Sequence, residues 1–336
     1  MSDLDIATEA LKESEPLLKV ENLKKYFQLN NAIRAKDRKY LRAVDGISFN
    51  LEAGKTIGIV GESGCGKTTM GRTILRLTTV TDGKIIFNGL DLTDMKGEAL
   101  RKVRPQFQMI FQDPYSSLSP RLPVGELIGE AVRVHGIVPK SEYKDYILNV
   151  MQNCGLQPHY FERYPHEFSG GQRQRICIAK VLALKPKMVI CDEPVSALDV
   201  SIQAQIINLF KDLQEQNNLA YIFISHDLSV VEHISDQVGV MYLGNMVEFA
   251  SKNDLFNKPM HPYTQALLSA VPKPDPSEKM QRIILQGDIP SPANPPSGCK
   301  FHTRCNRCMD VCIEVEPKFK DYGNGHSVAC HLYSQE

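Results

Sequence analysis

Residues 61–68 read Gly-Glu-Ser-Gly-Cys-Gly-Lys-Thr, and four glycines fall between Val60 and Leu75. Each glycine weakens regular structure by roughly 0.5–1 kcal/mol relative to alanine, so the stretch holds something that bare backbone can grip and side chains would obstruct. The spacing Gly-x4-Gly-Lys-Thr is that of a phosphate loop when a strand precedes it and a helix follows. Backbone N–H groups of Gly61, Ser63, Gly64, Cys65 and Gly66 can turn inward as a nest for β- and γ-phosphates, with the positive end of the helix behind them. Lys67 adds a point charge, Thr68 a hydroxyl ligand for Mg²⁺, and Thr69 can reach an α-phosphate. The alternative is a glycine turn with no ligand.

Three apolar runs end in polar groups. "KMVICDEP" closes on Asp192 and Glu193, and adjacent acids emerging from a buried strand have no packing purpose. Asp192 suits contact with Mg²⁺ and its waters, and Glu193 can polarise an attacking water; a helix cap is the structural alternative. His226 follows "IFIS" and suits a hydrogen bond to a γ-phosphate, while Gln112 ends "MIFQ". Ser169-Gly170-Gly171-Gln172 stands directly before a helical stretch and makes a second anion site. The chain's own phosphate loop lies elsewhere, so this site fits a phosphate held by another molecule.

Positioning these groups requires strands that present their ends on one side. "TIGIVG", "KIIFNG", "FQMIFQ", "KMVICDE" and "AYIFISH" read as strands, several apolar throughout, as strands covered on both faces must be. Residues 67–77, 124–135, 142–154, 172–184 and 201–217 read as helices, and the alternation implies an α/β fold with a parallel sheet. Residues 28–42 are polar and basic and are read as a solvated hairpin loop.

The 336 residues suffice for two domains, or one large domain with an appendage. Lys+Arg and Asp+Glu balance at 39 each, so no global field draws the chain to nucleic acid or an anionic membrane. No apolar run spans a bilayer and the acidic start lacks a signal-peptide core, so a cytoplasmic protein is expected, with membrane contact through a partner. Cys65, Cys154, Cys177 and Cys191 are scattered and read as small buried hydrophobes. Cys299, Cys305, Cys308, Cys312 and Cys330 crowd the last 38 residues, which in a reducing compartment favours a metal site over disulfides.

Taken in order, the phosphate loop, Gln112, Phe168-Ser-Gly-Gly-Gln172, Asp192-Glu193, Ser196-Ala-Leu-Asp199 and His226 resemble the ATP-binding cassette (ABC) family over nearly the whole chain. Phe168, where leucine is common, is the one departure. The resemblance implies a P-loop NTPase of the ABC type: a mixed-sheet core, a helical subdomain, an antiparallel β region and a small C-terminal cysteine-rich metal-cluster domain. It implies head-to-tail pairing in which Ser169, Gly171, Gln172 and Asp199 of one subunit meet the ATP held by the other. It also implies Thr68, Gln112 and Asp192 around Mg²⁺, catalysis by Glu193, His226 and Gln112, and an adenine-stacking aromatic. Phe27 fits that last role best, with Tyr26 next and Tyr40 a substitute.

Expected boundaries are a tail at 1–16, an ABC ATPase domain at 17–255 with a helical subdomain at about 113–184, a helix and Pro-rich linker at 256–298, and a cysteine-rich domain at 299–336. The region of about 113–165, which opens with "QDPYSSLSPRLPVGELI" at Gln112, would dock membrane subunits; an ordinary helical packing layer is the alternative.

More narrowly, His261-Pro-Tyr-Thr264 and the cysteine tail resemble the ATP-binding subunits of dipeptide and oligopeptide importers, although nickel importers share the tail. This implies a peripheral ATPase on the cytoplasmic face of the membrane, paired with a sister subunit or a second copy. Two permease subunits and, indirectly, an extracytoplasmic peptide-binding protein would complete the assembly, with no nucleic acid. Competing readings are a DNA-repair or chromosome-organising ATPase, disfavoured by the modest region between loop and signature and by the neutral charge, and a redox or metal sensor resting on the cysteines. The resemblance implies a four-iron four-sulfur cluster on Cys299, Cys305, Cys312 and Cys330. Zinc is the alternative, because Cys305 and Cys308 form a Cys-x2-Cys pair and His302, His326 and His331 lie nearby in sequence.

Overall fold

The computed structural model describes residues 15–30, 38–271 and 282–333. The N-terminal tail up to residue 14, the tip of the polar 28–42 loop and residues 272–281 of the Pro-rich linker lie outside the described residues. The chain forms two compact units, one of residues 1–52, 56–94 and 226–336, the other of 53–55 and 95–225.

The first unit holds two sheets. Strands Leu18–Gln28 and Tyr40–Leu51 pair antiparallel, with Phe27 opposite Leu41 and Gln28 opposite Tyr40, and Asp82–Phe87 joins the other edge of Leu18–Gln28. Both long strands alternate buried and less buried residues, the pattern of a sheet with one face on the core. The second sheet is mixed. Thr56–Val60, buried throughout, runs parallel to Gln237–Tyr242, which pairs antiparallel with Asn245–Ser251. The short strand Ser327–Val328 extends this sheet on Asn245–Ser251.

The C-terminal cysteine segment, expected to stand as a small domain of its own, belongs to this same unit. Phe301 is 1% exposed and packs edge-on to Tyr242 and tilted to Tyr263, with ring centres 5.2 and 5.3 Å apart. Such aromatic contacts add about 0.5–1.5 kcal/mol each beyond area burial, so burying one large ring binds the tail to the core.

The second unit carries three parallel strands, Phe107–Ile110, Met188–Asp192 and Ala220–Ile224, paired in that order. Its helices Val124–His135, Tyr143–Asn153, Gly170–Leu182 and Val200–Asn217 fall close to the ranges read from the sequence. Among the described residues, no helix is long and apolar enough to cross a membrane.

Candidate nucleotide site

The phosphate loop connects the buried strand Thr56–Val60 to the helix Lys67–Ile74. Its corners require glycine. Gly61 and Gly66 have φ of +147° and +108°, and a Cβ on either would stand 2.2 Å from the Met241 carbonyl oxygen or 2.1 Å from that of Ala43. Gly66 caps the helix and accepts the Met70 N–H at 2.9 Å.

Lys67 is only 5% exposed, and its ammonium donates to the carbonyl oxygens of Gly61 at 2.7 Å and Glu62 at 3.1 Å. Cys65 Sγ lies 3.9 Å away, and burial keeps that thiol above its ordinary pKa. The Glu62 carboxylate, the acid within the loop, pairs with Arg304 instead. The loop therefore holds a buried cation on carbonyl oxygens, an arrangement that an incoming phosphate would neutralise.

In the second unit, Asp192 ends its strand at 3% exposure, and Glu193 turns out of the sheet with a positive φ of 48°. That conformation is sparse for a side chain larger than glycine. It is held by the Glu193 N–H donating to Ile224 O at 2.9 Å and by the Ser196 hydroxyl donating to Glu193 O at 3.0 Å. The turn brings two expected residues together: Gln112 Nε2 donates to Glu193 Oε2 at 2.8 Å.

Ser169 and Gln172 satisfy each other. The Ser169 hydroxyl accepts the Gln172 N–H at 3.4 Å, and the Gln172 side chain accepts the Ser169 N–H at 3.1 Å, a capping box at the start of Gly170–Leu182. Ser169 and Gly170 are exposed there, while Phe168 is buried edge-on against Tyr160. Gly171 lies against Ile202, whose Cγ2 leaves no room for a Cβ. Asp199 precedes Val200–Asn217 without capping it through its side chain. His226, exposed, belongs with the phosphate loop in the first unit, whereas Gln112, Asp192, Glu193, Asp199 and the 168–172 segment belong to the second.

Strand alternation separates the candidate aromatics. Tyr26 donates its hydroxyl to Asp45, and burial with that bond raises its pKa. Phe27 points the other way, 38% exposed with Lys25 Nζ 4.8 Å from its ring centre, and Tyr40 is 40% exposed.

The four scattered cysteines are buried free thiols, as expected. Among the described residues no three His, Cys, Asp or Glu are grouped so as to hold a metal ion, so neither the expected four-iron four-sulfur cluster nor the zinc alternative has a formed site there. Burial chiefly raises Cys299 to about 12 and Cys330 to about 11, with Cys312 and Cys305 adding to both, and Cys330 adding to Cys299.

Three residues with contacts at the loop escaped sequence reasoning. Glu62 occupies a variable position of the motif, and Tyr263 and Arg304 lie some 200 residues or more away, with no spacing signal to link them.

A buried strand, a glycine-cornered loop closing on a lysine, and a helix behind it define a P-loop nucleotide-binding protein. The ABC transporter family profile matches residues 44–196, and that of the oligopeptide/dipeptide transporter C-terminal region matches 247–312. The oligopeptide transport ATP-binding protein AppF of Bacillus subtilis (strain 168) is 53% identical over 323 residues, spanning 95% of this chain and 98% of AppF. The dipeptide transport ATP-binding protein DppF of Escherichia coli (strain K12) is 48% identical, spanning 98% of each. Among solved structures, cbiO1 from Clostridium perfringens, part of the transporter complex cbiONQ, superposes with a TM-score of 0.63 at 26% identity, over 73% of this chain and 92% of cbiO1. The dimeric cassette MJ0796, bound to ADP and Pi, shares the fold with a TM-score of 0.62 at 24% identity, over 70% of this chain and 98% of that one. The chain belongs to the ABC transporter family and is one of its ATP-binding, ATP-hydrolysing subunits.

Proposed function

We propose that this chain energises an importer for dipeptides or oligopeptides, binding ATP at the loop 61–69 and coupling its hydrolysis to transport by membrane subunits. The observation that carries the reading is Lys67, a buried ammonium resting on two carbonyl oxygens in a loop whose own carboxylate is engaged elsewhere. The likeness to AppF and DppF over almost the full chain supports the peptide class.

In this reading Lys67 and the loop amides hold the β- and γ-phosphates, and Phe27, exposed where Tyr26 is tied to Asp45, stacks on adenine. Thr68, Gln112 and Asp192 would hold Mg²⁺, which neutralises charge on the phosphate oxygens. Glu193, oriented by Gln112, takes the proton of the attacking water, and His226 bonds the γ-phosphate. Ser169, Gly171, Gln172 and Asp199 complete the site of a second cassette, with a sister subunit preferred over a second copy. Two permeases and a peptide-binding protein outside the membrane make up the assembly, placing the chain at the cytoplasmic face.

A second element of the proposal is a four-iron four-sulfur cluster on Cys299, Cys305, Cys312 and Cys330, supported by the crowding of these soft ligands in one short segment.

The test is co-purification from the native membrane with the permeases. ATP turnover that rises when peptide-loaded binding protein is added supports the reading, and turnover indifferent to both sinks it.

A further inference from the structure

We infer that Arg304 is a positioning residue for ATP binding: it holds the Glu62 carboxylate away from Lys67, leaving the loop's ammonium open to phosphate. The inference rests on the reading of residues 61–69 as the triphosphate loop. Glu62 lies inside that loop, and its own carbonyl is 3.1 Å from Lys67 Nζ, so its carboxylate is tethered beside the ammonium. In the structure the carboxylate turns to Arg304 in a two-pronged pair, Nη1 to Oε2 at 2.7 Å and Nη2 to Oε1 at 3.0 Å. The match of planar fork to carboxylate makes this among the stronger ion pairs available to a protein. It is also shielded, with side-chain exposures of 7% for Arg304 and 24% for Glu62.

The guanidinium is itself fixed, 5.9 Å from the Tyr242 ring centre and 3.5 Å from its hydroxyl. At the other end of the same residue, the Glu62 N–H donates to the Tyr263 hydroxyl at 2.9 Å. Two residues of the C-terminal third therefore pin Glu62 by its backbone and its side chain. Removing Arg304 frees a carboxylate next to a buried ammonium, and the resulting pair within the loop competes with triphosphate for Lys67.

The experiment compares ATP affinity, by titration with a fluorescent ATP analogue, of the full chain carrying Arg304→Ala, Glu62→Gln, both changes, or Lys67→Ala, alongside thermal midpoints. Arg304→Ala is expected to weaken binding by about tenfold, the scale of one strong charged contact. Adding Glu62→Gln to Arg304→Ala should restore affinity to that of Glu62→Gln alone, because the competing charge is gone. If Arg304→Ala does not fold, Arg304→Met, which keeps an unbranched apolar stem, replaces it in the comparison. Unchanged affinity in the arginine variant, or a loss that Glu62→Gln does not restore, overturns the proposal; the second pattern is that of a merely structural brace. Lys67→Ala separates the two readings. If it leaves affinity intact, the loop assignment itself has failed; if it weakens binding while Arg304→Ala does not, only the role of Arg304 has.

Discussion

Glu193 is the residue on which turnover should depend most. Its carboxylate accepts from Gln112, and its backbone is held in a conformation that larger side chains rarely adopt. Replacing it with glutamine keeps an oxygen that can accept the Gln112 bond but removes the basicity. ATP binding should persist while hydrolysis falls at least about a hundredfold, the usual loss with a general base. Single-turnover measurement with pre-bound ATP checks this, and undiminished hydrolysis would put the base at another residue. Asp192 and Glu193 were legible in sequence because two acids closing an apolar run have no packing explanation. The Gln112 contact was not, since it joins residues 81 apart.

His261 shows what an element demands of one ring. It caps the helix Pro262–Ser269, its Nδ1 accepting the Tyr263 N–H at 3.0 Å, so that nitrogen must carry no proton. Burial depresses its pKa to about 4, with the Glu248 carboxylate opposing the shift. A folded-state value below the ordinary one near 6.5 means that the unfolded chain binds more protons between those limits. The resulting stability is complete above about pH 6.5 and is lost as pH falls towards 4, by about 3 kcal/mol in all. His261→Asn keeps an acceptor for the cap and does not titrate. Urea unfolding at pH 7.5 and 5 should therefore lose more stability in the parent than in the variant, and equal losses would count against a neutral buried imidazole. The sequence marked His261-Pro-Tyr-Thr264 only by resemblance. That Tyr263 reaches the phosphate loop, and that His261 must stay neutral to begin its helix, follows from packing.

Across the whole chain, the cysteine tail is part of the unit that carries the phosphate loop, joined to it by Phe301, by the strand Ser327–Val328 and by Arg304. Under the cluster reading, an anaerobic preparation should contain about four irons and matching acid-labile sulfide per chain. Cys312→Ser should lower both, whereas stoichiometric zinc or no metal in the parent would remove the cluster. The sequence by itself determined the nucleotide chemistry, because a phosphate loop, strand-end acids and a helix-start Ser-Gly-Gly-Gln are local patterns, each forced by backbone geometry within a few residues. It also placed the principal helices, whose formation is equally local. Tertiary structure alone decided which distant side chains meet: Arg304 on Glu62, 242 residues earlier, and Gln112 on Glu193. Such pairs are selected by how sheets and tail pack, and packing leaves no fixed spacing in the chain to read.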